Sequence, residues 1–295
     1  FYYDSKGLEN ILTSKNEIFN IPFKLTVKND KFNKEIDTIF DSKKIRLNIK
    51  NKIFYEDIDK KGLLDILFVN KSTSLNYFIK KNSLSFSSEK TNNGYNGNID
   101  FKPFYLSANF DYKGLSSKNI FDENSVFIDF IKTDILNSKN LNANVKIKVN
   151  DITDIDELNN LVLDVNIDQG EIILSGSNIM WKDACKIILS ESLLSYDGEE
   201  INIIGKFIFN FKDINNLYST FQINKNNRKD IETIEIDFIY NFNANKIAFD
   251  NVKVENSPNA DLQKFLDEFN SKNKKIFNKI TFKNFVNNFF KIYAG

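Results

Sequence analysis

The residues able to do chemistry are few, and their spacing argues against most of it. Asp151, Asp154, Asp156 and Glu157 gather carboxylates in one short stretch. The order of a calcium loop, D-x-D-x-D-G, is missing there. The plainer expectation is a short helical turn before Leu161, with acids at the positive end of its dipole. Glu199 and Glu200 follow Asp197-Gly198, a hairpin signal, and read as solvated turn residues. Ser175-Gly176-Ser177 has neither the G-x-S-x-G order nor a base. The chain contains 0 His, which removes Ser-His-Asp, Cys-His and His-ligated zinc chemistry together. Cys185, the 1 cysteine, cannot form an intrachain disulfide and lies in an apolar strand, where a small buried hydrophobe is expected. The 10 glycines are scattered, mostly at turns, so no phosphate-binding loop is read. No metal or cofactor is expected, and the chain reads as non-enzymatic.

The elements that would position any site are strands. Leu161, Leu163, Val165 and Ile167 share one parity, broken by Asp168-Gln169-Gly170; Phe207, Phe209 and Phe211 again share one parity. Side chains in a strand alternate between faces, so this is a sheet with one greasy and one wetter face. Similar signals recur from the N-terminus: Tyr2-Tyr3, Phe23-Leu25-Val27, Ile45-Leu47-Ile49, Leu63 to Val69, Leu75-Tyr77-Ile79, Leu84-Phe86 and Tyr105 to Phe110. Val126 to Ile131 and Val145-Ile147-Val149 continue the series, and Asn92-Asn93-Gly94 and Asn96-Gly97 read as turns. Evenly spaced strands with Asn/Gly/Asp turns predict an all-β antiparallel structure. Trp181, beside Met180, reads as core.

Helix signals concentrate at the C-terminus. Ser257-Pro258 offers an N-cap and a proline at the first helical position, followed by Leu262, Phe265, Leu266 and Phe269 on one helical face. A second helix from Thr281 would align Phe285, Val286, Phe289, Phe290 and Tyr293. Both are expected to cap the last strands; the alternative for the second, a membrane-surface helix, is compatible with Lys274, Lys275, Lys279 and Lys283. The resulting organisation is a β-rich segment over 1–140, a second over 141–256 and a helical cap over 257–295.

Composition bounds the partners. With 40 Lys+Arg against 40 Asp+Glu there is no electrostatic pull toward nucleic acid, and none is expected as a partner. No apolar run approaches the ~20 residues a membrane-crossing helix needs. The chain starts at Phe1 in what reads as the middle of a strand, so it is expected to be a fragment, and any membrane attachment would lie outside it.

The stretch Leu161-Val-Leu-Asp-Val-Asn-Ile-Asp-Gln-Gly-Glu-Ile-Ile-Leu-Ser-Gly-Ser-Asn-Ile-Met-Trp-Lys-Asp, continued by Ile187 to Lys206, resembles the C-terminal region of AsmA-like envelope proteins. The helical tail after Ser257 fits the same resemblance, which is diffuse over the first half. It implies a long curved antiparallel sheet forming an open groove, with amphipathic helices at its C-terminal end. It further implies phospholipid acyl chains as ligand, lipid transport between membranes, and a periplasmic location anchored to the inner membrane of a Gram-negative bacterium. The groove would be lined by Leu163, Val165, Ile167, Phe207, Phe209, Phe211, Ile236, Phe238 and Tyr240. The alternative is a structural or adhesive β-sandwich or solenoid in which the same residues fill a closed core.

Overall fold

The computed structural model describes residues 1–295 except 8, 19, 56–59, 69–70, 89–93, 117–137, 154, 197–198 and 272–278. The chain is mainly β, with helices near its C-terminus, as the alternation predicts. Its 19 described strands form one long, mostly antiparallel sheet. Two compact units are present: Phe1–Lys113 with Lys118–Ile147 and Ile167–Gly170, and Gly114–Ser117 with Lys148–Asn166 and Glu171–Gly295.

The first unit is an up-and-down meander. Its strands are β1 (Tyr2–Asp4), β2 (Glu9–Ile18), β3 (Ile21–Asp30), β4 (Glu35–Ser42) and β5 (Leu47–Phe54). They continue as β6 (Lys60–Phe68), β7 (Lys71–Ile79), β8 (Ser83–Ser88), β9 (Gly94–Phe101) and β10 (Phe104–Leu115). Each pairs antiparallel with the strand that follows it in sequence. Two local readings change here. Asn96-Gly97 is not a turn but lies inside β9, opposite Ser87 and Phe86. Ile45 belongs to the turn before β5 and is buried there.

The second unit takes half of β11 (Ala143–Ile152) and most of β12 (Leu158–Asp168), with β13 (Glu171–Ile173), β14 (Asn178–Trp181), β15 (Cys185–Tyr196) and β16 (Ile201–Phe211). Helix α1 (Ile214–Phe221) follows, then β17 (Thr233–Asn241), β18 (Lys246–Val254) and the two-residue β19 (Ser257–Pro258). Helices α2 (Ala260–Ser271) and α3 (Lys279–Ala294) close the chain. Gln169 and Gly170, at φ 50° and 88°, make the expected tight turn between β12 and β13.

Three expectations are corrected. No helix is described over the acidic stretch: Asp151 ends in β11, and β12 starts at Leu158 rather than Leu161. Ser257-Pro258 does not open α2. Glu255 and Asn256 turn the chain at φ 51° and 60°, so Ser257 and Pro258 pair with Val254 and Lys253. The cap is Asn259, whose side chain accepts the Leu262 N–H at 3.0 Å. Helix α1 is new, held at its start by Asp213 accepting from the Asn215 N–H. Asn92-Asn93, Val126 to Ile131, Asp154, Asp197-Gly198 and Lys274-Lys275 lie outside the described residues.

Candidate functional site

In the first unit the ladder registers assign every strand position to a side of the sheet. Leu25 opposes Phe40, Phe40 opposes Ile49, and Ile49 opposes Ile66. One position over, Lys24 opposes Asp41 and Asp41 opposes Asn48. Followed through all ten strands, the charged residues in strand interiors have one parity, shared by Ile11, Ile39, Leu63 and Phe78, and most aliphatic and aromatic residues have the other. Away from strand ends, the apolar side carries only neutral polar breaks such as Ser14, Thr38 and Asn51. A charge on that side would lose hydration without a partner, which explains the strictness of the division.

That side is unevenly covered: Ile21, Leu75, Tyr77 and Ala108 are buried on it, while most of its other apolar positions are not sealed. Leu25, Ile36, Phe40, Ile49, Leu64 and Ile66 are all intermediate in exposure, whereas a closed core buries such residues almost completely. No helix is described in this unit. Side chains instead cover one another along the sheet. The Phe23 and Phe40 rings stack at 4.7 Å, and Tyr95 meets Phe110 edge-on at 5.5 Å. Two glycines are part of this surface. The Tyr77 ring lies across Gly62 and its hydroxyl donates to Asn51 Oδ1 at 2.6 Å, two strands away. Phe86 lies across Gly97 in the same way. Burial raises the Tyr112 phenol to about 12, with Tyr95 adding to the shift.

In the second unit the greasy face is partly closed, and by helices rather than a second sheet. Ile214 and Tyr218 of α1, Leu262 and Leu266 of α2, and Phe289 and Phe290 of α3 pack on Ile234, Ile236, Val252 and Val254. Leu262 and Leu266 are 0% exposed, each burial worth roughly 1.5–3 kcal/mol. The Tyr218 hydroxyl donates to the Lys229 carbonyl and accepts the Lys229 N–H at 3.1 Å, which fixes the segment between α1 and β17.

The nine residues expected to line a groove therefore divide. Ile236 is inside the helix-covered core, and Phe209 and Phe211 pack against it. Phe238 is 4% exposed and stacks on Phe207, outside that cluster. Tyr240 meets Phe242 edge-on, and Leu163 and Val165 are half-buried. Ile167 is buried and belongs to the first unit. The more open apolar rows, those of Leu25, Phe40 and Leu64, lie in the half of the sequence where the expectation named no residue. Their signal was present: away from strand ends, the charges within each early strand keep to one parity.

Chemistry is sparse on the described residues. No group of three or more acids, cysteines or histidines is placed to hold a metal among them. The Cys185 thiol is buried and pushed up to about 12 by desolvation, so it is a packed side chain and not a nucleophile. Trp181 stacks on Phe221 of α1 at 6.0 Å, under Lys182. No described helix is long and apolar enough to cross a membrane. No family model, curated protein or solved structure matches the chain.

Proposed function

We propose that the chain binds phospholipid acyl chains on the apolar side of its sheet and conducts them between membranes of a bacterial envelope, without catalysis. One observation carries this reading. Much of the side of the first unit's sheet free of interior charge, including Leu25, Phe40, Ile49 and Ile66, is only half-buried. Such a surface suits acyl chains, since each CH₂ removed from water is worth about 0.8 kcal/mol. Head groups stay in water at the sheet's margin, and movement requires a continuous surface with no strong trap. The resemblance to AsmA-like proteins supports a periplasmic setting with an inner-membrane anchor outside these residues.

Native mass spectrometry of protein purified without detergent tests the proposal. Co-purifying phospholipid, lost on organic extraction and regained from vesicles, is the expected result. A chain that carries no lipid and takes none up overturns it. The alternative, a structural or adhesive protein with a closed core, draws on the helix-covered cluster of the second unit. It predicts no lipid and uniformly slow amide exchange in both units.

A further inference from the structure

We infer that one end of the first unit's meander is a membrane-docking rim, seated in the head-group zone of a phospholipid bilayer. In an up-and-down sheet the β3–β4, β5–β6, β7–β8 and β9–β10 connections emerge at one end, and the β2–β3, β4–β5, β6–β7 and β8–β9 connections at the other. Among the described residues, the strongly exposed aromatic side chains of this unit after β1 keep to the first end. Phe32, at the tip of the β3–β4 turn, is 83% exposed. Phe54 closes β5, and Phe101, Phe104 and Tyr105 flank the β9–β10 turn, each 41–43% exposed. The β1–β2 connection emerges there too, with Tyr2 and Tyr3 exposed beside it. At the opposite end the exposed large hydrophobics among the described residues are aliphatic, Ile18 and Leu67.

Lysines are interleaved with these rings. Lys31 and Lys34 flank Phe32, Lys80 and Lys81 fill the β7–β8 turn, and Lys102 sits between Phe101 and Phe104. Aromatic rings concentrate at the membrane–water boundary, where one part of the ring is dry and the other wet, and lysines reach from there to phosphates. The same end is where the apolar rows run out: Phe101 and Phe104 share the parity of Ile99 and Leu106. A bilayer seated there meets the apolar face directly. The inference rests on the proposed lipid reading for its purpose, but not for its test.

The test is co-sedimentation of the full chain with sucrose-loaded vesicles of phosphatidylethanolamine and phosphatidylglycerol. The double variant Phe32→Ser, Phe104→Ser should lower partitioning at least tenfold, since burying one such ring is worth about a tenfold change or more. The control Ile18→Ser, Leu67→Ser, at the opposite end, should bind like the parent. Circular dichroism confirms folding of both variants, and native mass spectrometry reads their bound lipid separately. Absent vesicle binding by the parent, or equal losses in the two variants, overturns the rim. Self-association abolished by Phe32→Ser without vesicle binding also overturns it, in favour of a second copy of the chain. Vesicle binding without co-purified lipid leaves the rim standing and removes the lipid-conduction reading.

Discussion

The rings of Phe207 and Phe238 stack at 3.9 Å and 14° on neighbouring strands, with Phe238 directly across from Gly205. With Phe238 only 4% exposed, the pair behaves as core and not as an open surface. Phe238→Ala should destabilise the second unit by about 3–5 kcal/mol, read as a lower urea midpoint at unchanged slope. Phe238→Asp should prevent that unit from folding, because the carboxylate would be buried without a partner.

Phe40 gives the contrasting case. It is half-buried on the uncharged side of the first unit, so a carboxylate there keeps contact with water. Phe40→Asp should keep the far-ultraviolet circular dichroism of the parent and reduce co-purified phospholipid severalfold. Unfolding of this variant to the extent seen with Phe238→Asp would mean that both faces are sealed.

Gly62 holds its place because the Tyr77 ring occupies the volume its side chain would take. Gly62→Ala displaces that ring and strains the hydroxyl's bond to Asn51. A loss of about 1–3 kcal/mol follows. Tyr77→Phe should cost less, about 1 kcal/mol, and the double variant should show the two effects to be coupled.

Two groups set pH dependences of opposite sense. The Asn33 backbone N–H, then its side-chain amide and the Phe32 N–H, hold the Asp30 carboxylate below its ordinary range. Its contribution to the β3–β4 turn is present above the ordinary carboxylate range and lost as pH falls through the lowered value. The protection factors of the Phe32 and Asn33 amides, taken against the unstructured rate at each pH, should fall in that acid window in the parent and stay constant in Asp30→Asn.

Cys185 works the other way. Burial raises its folded value to about 12, so stability falls as pH rises past the ordinary thiol range, where only the unfolded thiol ionises. A thiol reagent at mildly alkaline pH should label Cys185 only at the rate of unfolding. Rapid labelling of the folded chain would contradict its buried placement.

Much of this architecture is legible in the residues. Period-two rows such as Leu161 to Ile167 and Phe207 to Phe211 name their strands directly, and the Leu262–Phe269 spacing names α2. Helix α1 escaped because Asp213, Ile214, Leu217, Tyr218 and Phe221 carry a cap and a helical spacing over only 8 residues. That run follows a strand so closely that its aromatics read as more of the same. Ser257-Pro258 misled for a local reason: the left-handed pair Glu255-Asn256 spends those two residues on a strand, and Asn259 caps instead. Parity tells which residues share a face but not what lies over it. That is why Phe209 and Ile236, grouped with Leu163 as exposed lining, turn out to sit at or beneath the helices.

The meander of the first unit has one more consequence. Each of its strands pairs with its chain neighbours, so every ladder contact closes a short loop and pays little closure entropy. Such a sheet can zip up from any hairpin, and it folds quickly for its size. It can also gain or lose a hairpin while the flanking strands re-pair with the same polarity. The breadth of the apolar face is then a heritable length, adjustable in steps of two strands, or about 10 Å.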